Sequence, residues 1–117
     1  MTISTSTNVL TAGSTFAIAA TTTSSQTYVT SGTNNIQAIL VENLDSTNDV
    51  FVNWSLTSAT LTATVPSAGN PQPGVAVQSN SNKIIQIGPV GGPYDGNVTV
   101  AANAITGTAT VLFTPVV

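Results

Sequence analysis

Asp49-Val50-Phe51-Val52-Asn53-Trp54-Ser55-Leu56 is the stretch that decides the fold. In an extended chain successive side chains point to opposite sides, so Val50, Val52, Trp54 and Leu56 share one face and Phe51, Asn53 and Ser55 the other. The first face is apolar and is expected to pack inward. The second is mixed and is expected to meet solvent or a partner. The same alternation recurs in Thr60-Leu61-Thr62-Ala63-Thr64-Val65, with Leu61, Ala63 and Val65 inward, and again in Asn97-Val98-Thr99-Val100-Ala101-Ala102 and Thr108-Ala109-Thr110-Val111-Leu112-Phe113. Apolar residues rarely recur at three- and four-residue spacing, and β-branched Thr, Val and Ile dominate, so no helix is predicted.

Turn signals divide these runs. Asp45-Ser46-Thr47-Asn48 separates Gln37–Leu44 from the Val50 strand and reads as a hairpin loop. Ser79-Asn80-Ser81-Asn82 reads as the turn closing Val75-Ala76-Val77 onto Lys83-Ile84-Ile85-Gln86-Ile87. The segment Pro66–Gly74 is too rich in proline for a central strand and reads as a longer connection, and Gly88–Gly96 and Asn103–Gly107 supply the last two. About eight to ten short strands at this spacing predict an all-β, single-domain antiparallel β-sandwich, jelly-roll or Ig-like, with a barrel as the other closure. Residues 14–117 form that domain; residues 1–13, rich in Ser and Thr, form an N-terminal arm, flexible or laid on a neighbouring subunit.

The chemistry is limited by what the chain lacks. Its 117 residues are 41% hydrophobic and 4% charged, against about 25% charged in an ordinary soluble domain. Glu42, Asp45, Asp49, Asp95 and Lys83 are the charged side chains, with no His, Cys or Arg. General acid–base and nucleophilic catalysis both need a titratable group with a tuned partner, so no enzyme is expected, and no catalytic, cofactor-binding or metal-binding residue. One cation cannot supply an electrostatic footprint on nucleic acid. The longest apolar run, Phe16-Ala17-Ile18-Ala19-Ala20, is far short of the roughly 20 residues of a membrane helix. Met1-Thr2-Ile3-Ser4-Thr5 lacks the basic start of a secretory signal, so the chain reads as a complete product made in the cytoplasm. A neutral, Thr-rich surface can be buried against partners with few charges to desolvate.

Four places merit weighing as sites. Glu42, Asp45, Thr47, Asn48 and Asp49 gather oxygen ligands, but Asp45–Asp49 lacks the Gly and the later bidentate Glu of a calcium loop, and Asp and Asn are what a turn uses for its own backbone. Asn53-Trp54-Ser55 and Asn97-Val98-Thr99 match the glycosylation pattern by incidence in a Thr/Ser/Asn-rich chain. Trp54 and Tyr94 are the conceivable sugar-stacking pair; Trp54, beside Val50 and Val52, reads as core, and Tyr94, in a Gly/Pro loop, as exposed. The remaining aromatics are Tyr28, Phe16, Phe51 and Phe113. Lys83 reads as solubilising a strand edge, and Asp95 as a loop charge.

The order of segments carries a resemblance. Asn43 with Asp49-Val50-Phe51-Val52-Asn53, then Ala63-Thr64-Val65-Pro66, a loop bounded by Gly69 and Gly74, and Val75-Ala76-Val77 form one block. Lys83–Ile87, Asn97–Ala102 and Gly107-Thr108-Ala109-Thr110-Val111 complete it. Across residues 36–115 the chain resembles small virion proteins of tailed bacteriophages, particularly head decoration (cement) proteins, in style and order without a diagnostic motif. The resemblance implies a β-sandwich bound to the outside of the phage head, partnered with the major capsid protein and forming homo-oligomers, with trimers favoured. It implies no functional residue. The competing expectations are another particle component, such as a head fibre, tail or host-attachment protein, and a carbohydrate-binding or adhesion module.

Overall fold

The computed structural model describes residues 12–30, 36–56, 60–87 and 97–116. Eight strands follow in chain order: β1 (Phe16–Ala20), β2 (Ser25–Thr30), β3 (Ala38–Asn43), β4 (Val50–Ser55), β5 (Val75–Val77), β6 (Ser81–Gln86), β7 (Asn97–Ala104) and β8 (Ala109–Val116). They form two four-stranded antiparallel sheets, ordered β1-β8-β3-β6 and β2-β7-β4-β5. The first strand pairs with the eighth, the second with the seventh, the third with the sixth and the fourth with the fifth. A ribbon paired in this way, with successive pairs falling in alternate sheets, is a jelly roll. An Ig-like sandwich places its first two strands side by side; here β1 and β2 lie in opposite sheets.

Alternation fills the space between the sheets. Ile18, Ile39, Val41, Val111 and Phe113 from the first sheet meet Val29, Val50, Val52, Val98 and Val100 from the second, all buried. Trp54 and Leu56 continue the inner face of β4, half-buried against this core. The core is β-branched and nearly free of aromatics apart from Phe113, which suits stiff side chains standing on a pleated surface.

The hairpins expected at Asp45–Asn48 and Ser79–Asn82 do not form. β3 and β4 belong to different sheets, as do β5 and β6, and Ser81 and Asn82 are the opening residues of β6 itself. These short loops carry the chain across the roughly 10 Å between sheets. Among the described residues, β4 and β5 are the one chain-adjacent pair of strands that join in a ladder, and they are connected by the long segment 56–74.

That long segment also corrects the expectation of a strand at Thr60–Val65. The residues alternate as read, with Ala63 buried, Leu61 and Val65 half-buried and the threonines exposed, but no ladder forms. Side chains replace it. Gln26 Oε1 accepts from the Leu61 amide (2.6 Å) and Ser24 Oγ from the Ala63 amide (2.9 Å). Asn53 Nδ2 donates to the Thr62 carbonyl and Asn103 Nδ2 to that of Ala63, both at 3.1 Å. The strap crosses the outer face of the β2-β7-β4-β5 sheet, where Phe51, Asn53 and Ala101 are buried. The mixed face of β4 is thus covered in part by the chain's own connection. Gly74 ends the strap at φ +130°, where a Cβ would run into the Val52 carbonyl oxygen and lie 2.6 Å from the Phe51 ring, so only glycine lets the backbone pass.

At the other margin, Ala12 bridges Val116 and the Gly13 amide donates to the Pro115 carbonyl, so sheet contacts begin inside the span expected to be arm. Residues 1–11 of that arm lie outside the described residues.

Candidate functional site

The acidic cluster builds a turn. Asp45 Oδ2 accepts from the amides of Thr47 (2.9 Å) and Asn48 (2.6 Å) and from the Thr47 hydroxyl (3.2 Å), the local pattern that Asp favours after a strand. Asp49 Oδ1 accepts from the Ser79 amide at 2.9 Å. Asn48 Nδ2 donates to the Thr108 carbonyl, and its Oδ1 accepts from the Thr106 hydroxyl. Gly107, at φ +67°, passes so close beneath Asn48 that a Cβ would lie 2.7 Å from Nδ2. Three connections, β3–β4, β5–β6 and β7–β8, are joined at this end of the sandwich, with the Asn80 amide donating to the Asp45 carbonyl and that of Ile105 to the Asp49 carbonyl. Among the described residues no group of three or more His, Cys, Asp or Glu side chains gathers to hold a metal.

The Thr47 and then the Asn48 amide hold the Asp45 carboxyl below its ordinary range. A depressed folded-state pKa means the contribution is complete above the unfolded value, about 3.9, and is lost as pH falls through the lower folded value. Amide shifts of Thr47 and Asn48, followed from about pH 6 to about pH 2, are expected to move together with a midpoint below about 3.9. A midpoint above that value would mean the turn does not hold the carboxylate.

Asn43 is the residue that sequence reading passed over as a site. It lies on the same side of β3 as Ile39 and Val41, and is buried with them. Its Nδ2 donates to the carbonyls of Asn48 (2.9 Å) and Val77 (3.1 Å), and its Oδ1 accepts from the Asp45 amide (3.0 Å). One amide side chain therefore ties the β3–β4 loop to the end of β5 in the opposite sheet. A polar residue at a core position of an alternating strand was the signal available in the sequence.

Asn53 is buried, with its Nδ2 committed to the strap and its Oδ1 accepting from the Trp54 amide, so its triplet is structural. Thr99 of the second triplet is buried as well. Trp54 packs on the core, and Tyr94 and Asp95, in the Gly88–Gly96 connection, lie outside the described residues. Lys83 is exposed on β6, an edge strand, in register with inward-facing Val41. A charge turned toward the sandwich opening is one of the devices that keep an edge from pairing with another chain. It lines a groove of about 390 Å³ with Ala76, Gln78, Ser81 and Asn82, where the edges of the two sheets approach.

The two sheets differ in what lies outside them. The strap covers part of one. On the other, the residues between the core positions form cross-strand rows: Ile84, Leu40 and Thr114 in one, Asn82, Glu42, Leu112 and Ala17 in the next. Ile84 is 68% exposed, the most of any large apolar side chain described, with half-buried Leu40 beside it on β3 and half-buried Leu112 one strand further, on β8. The face thus carries exposed Ile84 on its edge strand β6 and Leu40, Glu42, Leu112 and Thr114 on its two inner strands. No protein-family model, curated protein or solved structure matches the chain.

Proposed function

We propose that the protein is a non-enzymatic virion structural protein, a decoration (cement) protein that binds the outside of a phage head and reinforces contacts between capsomers. The observation that carries this reading is a charge-poor jelly roll whose acidic side chains Asp45 and Asp49 are spent on its own turns. Jelly rolls are used for viral capsid and lectin domains, although a fold alone assigns no function. A cement protein acts by contact area repeated over a lattice, so modest binding per copy suffices, and a surface with few charges costs little to desolvate. The partners in this reading are the major capsid protein and further copies of the chain, as trimers, and the location is the capsid surface.

Quantitative mass spectrometry of purified particles carrying this gene tests it. The expected result is one copy, or one-third of a copy, per major capsid protein. A handful of copies per particle moves the protein to the tail or portal vertex. Its complete absence removes the virion reading and favours an adhesion module, which sugar binding through exposed aromatics such as Tyr28 would then support.

A further inference from the structure

We propose that the open face of the β1-β8-β3-β6 sheet seats a second copy of this chain, with Ile84 as its apolar anchor and Glu42 of one copy facing the Lys83 margin of the next. This rests on the decoration reading only in making the contact part of a homo-oligomer.

Three observations carry it. The first is shape and area. Four strands about 4.8 Å apart and about 18 Å long give a flat face of roughly 350 Å² in plan, to which loop tips and edges add toward the about 800 Å² per partner of a standard interface. The second is charge. The molecule carries a net charge of −3 and a single cation. That cation, Lys83, stands on the edge strand β6 in register with inward-facing Val41, so it turns to the sandwich opening, whereas Glu42 lies on the open face itself, on β3 in register with the neighbouring Asn82. The face therefore offers a carboxylate and the β6 edge the cation, so a second copy that presents its edge to the face brings the complementary charge. The third is the contrast between sheets. On the opposite sheet Phe51 and Ala101 are buried beneath the chain's own strap, with Gln26 and Asn103 holding it. On this sheet Thr114 and Ala38 are buried, but Ile84 stands 68% exposed in a row with Leu40.

The groove beside Lys83, about 390 Å³ in volume, gives the neighbouring carboxylate a place to enter. A contact in which one copy offers Glu42 and the next offers Lys83 is head-to-tail, and repeated through a closing rotation it forms a ring.

The test is the mass of the full chain in solution, by sedimentation and mass photometry, for the wild type and for Ile84→Asp, Glu42→Lys, Lys83→Glu and the double charge exchange. Circular dichroism checks that each variant keeps its sheet, and the charge variants at Glu42 and Lys83 stand in if Ile84→Asp does not. The wild type is expected to be oligomeric at about 10 µM, with Ile84→Asp raising the dissociation constant about a hundredfold. Each single charge reversal weakens assembly about tenfold, and the double exchange restores it. A wild type that stays monomeric to about 100 µM overturns the inference, as does a folded Ile84→Asp that assembles like the wild type. If the wild type is monomeric but Ile84→Asp abolishes particle binding, the capsid protein is the occupant and the second copy is not. Oligomers lost on Ile84→Asp from a protein absent from particles would keep this inference and remove only the functional reading.

Discussion

Phe113→Ala is expected to cost about 4 kcal/mol of folding stability, read as a shift in urea midpoint at unchanged slope, and to lower the melting temperature by roughly 15 °C. Phe113 is fully buried on β8, in register with Phe16 on β1 and Val41 on β3, so its ring spans the middle of the first sheet's inner face. The surrounding side chains are mostly valine and isoleucine, held to few rotamers on rigid strands. They cannot swing into the space, and most of the lost ring volume stays as a cavity. Since a domain of this size has about 5–15 kcal/mol in total, the variant is left near the edge of folding. Thr110→Ala on the same strand, exposed and on the outer face, is expected to stay within about 0.5 kcal/mol. A Phe113→Ala loss under about 2 kcal/mol would mean that the two sheets do not close tightly at this point.

Phe113 was readable as a core residue because alternation assigns faces within each run. Val50, Val52, Val98, Val100 and Val111 were readable in the same way, and all are buried. The Asp45 turn was readable too, because the side chain and the amides it accepts from are at most three residues apart. Pairing was harder. The Asp45–Asn48 and Ser79–Asn82 turns have hairpin composition, yet each carries the chain between sheets. Composition records that the chain turns; whether the next strand lies beside the last or above it depends on which partners are already paired, and here those are β6 and β8 for β3.

Thr60–Val65 fails for a related reason. Period-two alternation is a property of extended backbone over any apolar surface, and a strap across a sheet meets that condition as well as a strand does. Only the distant Gln26, Ser24, Asn53 and Asn103 mark it as a strap, because they supply the hydrogen bonds that a neighbouring strand would have supplied. The strap in turn decides the outer faces: Phe51 and Asn53 are buried and Ile84 is left exposed, and neither outcome follows from the runs that contain them.

Asn43→Leu is expected to destabilise the protein by about 3 kcal/mol although it places an apolar residue of similar size at a buried position. In most of this core such a change would be tolerated. At Asn43 it removes two donors and an acceptor at once, leaving the Val77 carbonyl, the Asn48 carbonyl and the Asp45 amide without the side chain that joins them. The Val77 bond is the one between sheets and is buried, so water does not replace it readily. Asn43→Asp separates this account from simple loss of packing. The carboxylate keeps an acceptor for the Asp45 amide but faces two carbonyl oxygens, so its folded-state pKa is raised above the unfolded value. Its penalty is therefore largest above the folded pKa and falls as pH drops through that value, the reverse of the Asp45 dependence. Urea unfolding at about pH 7 and about pH 4 is expected to find Asn43→Asp less stable than Asn43→Leu at the higher pH and closer to it at the lower. Equal gaps at both pH values, or a loss below about 1 kcal/mol for Asn43→Leu, would mean that the Asn43 amide does not tie the β3–β4 loop to β5.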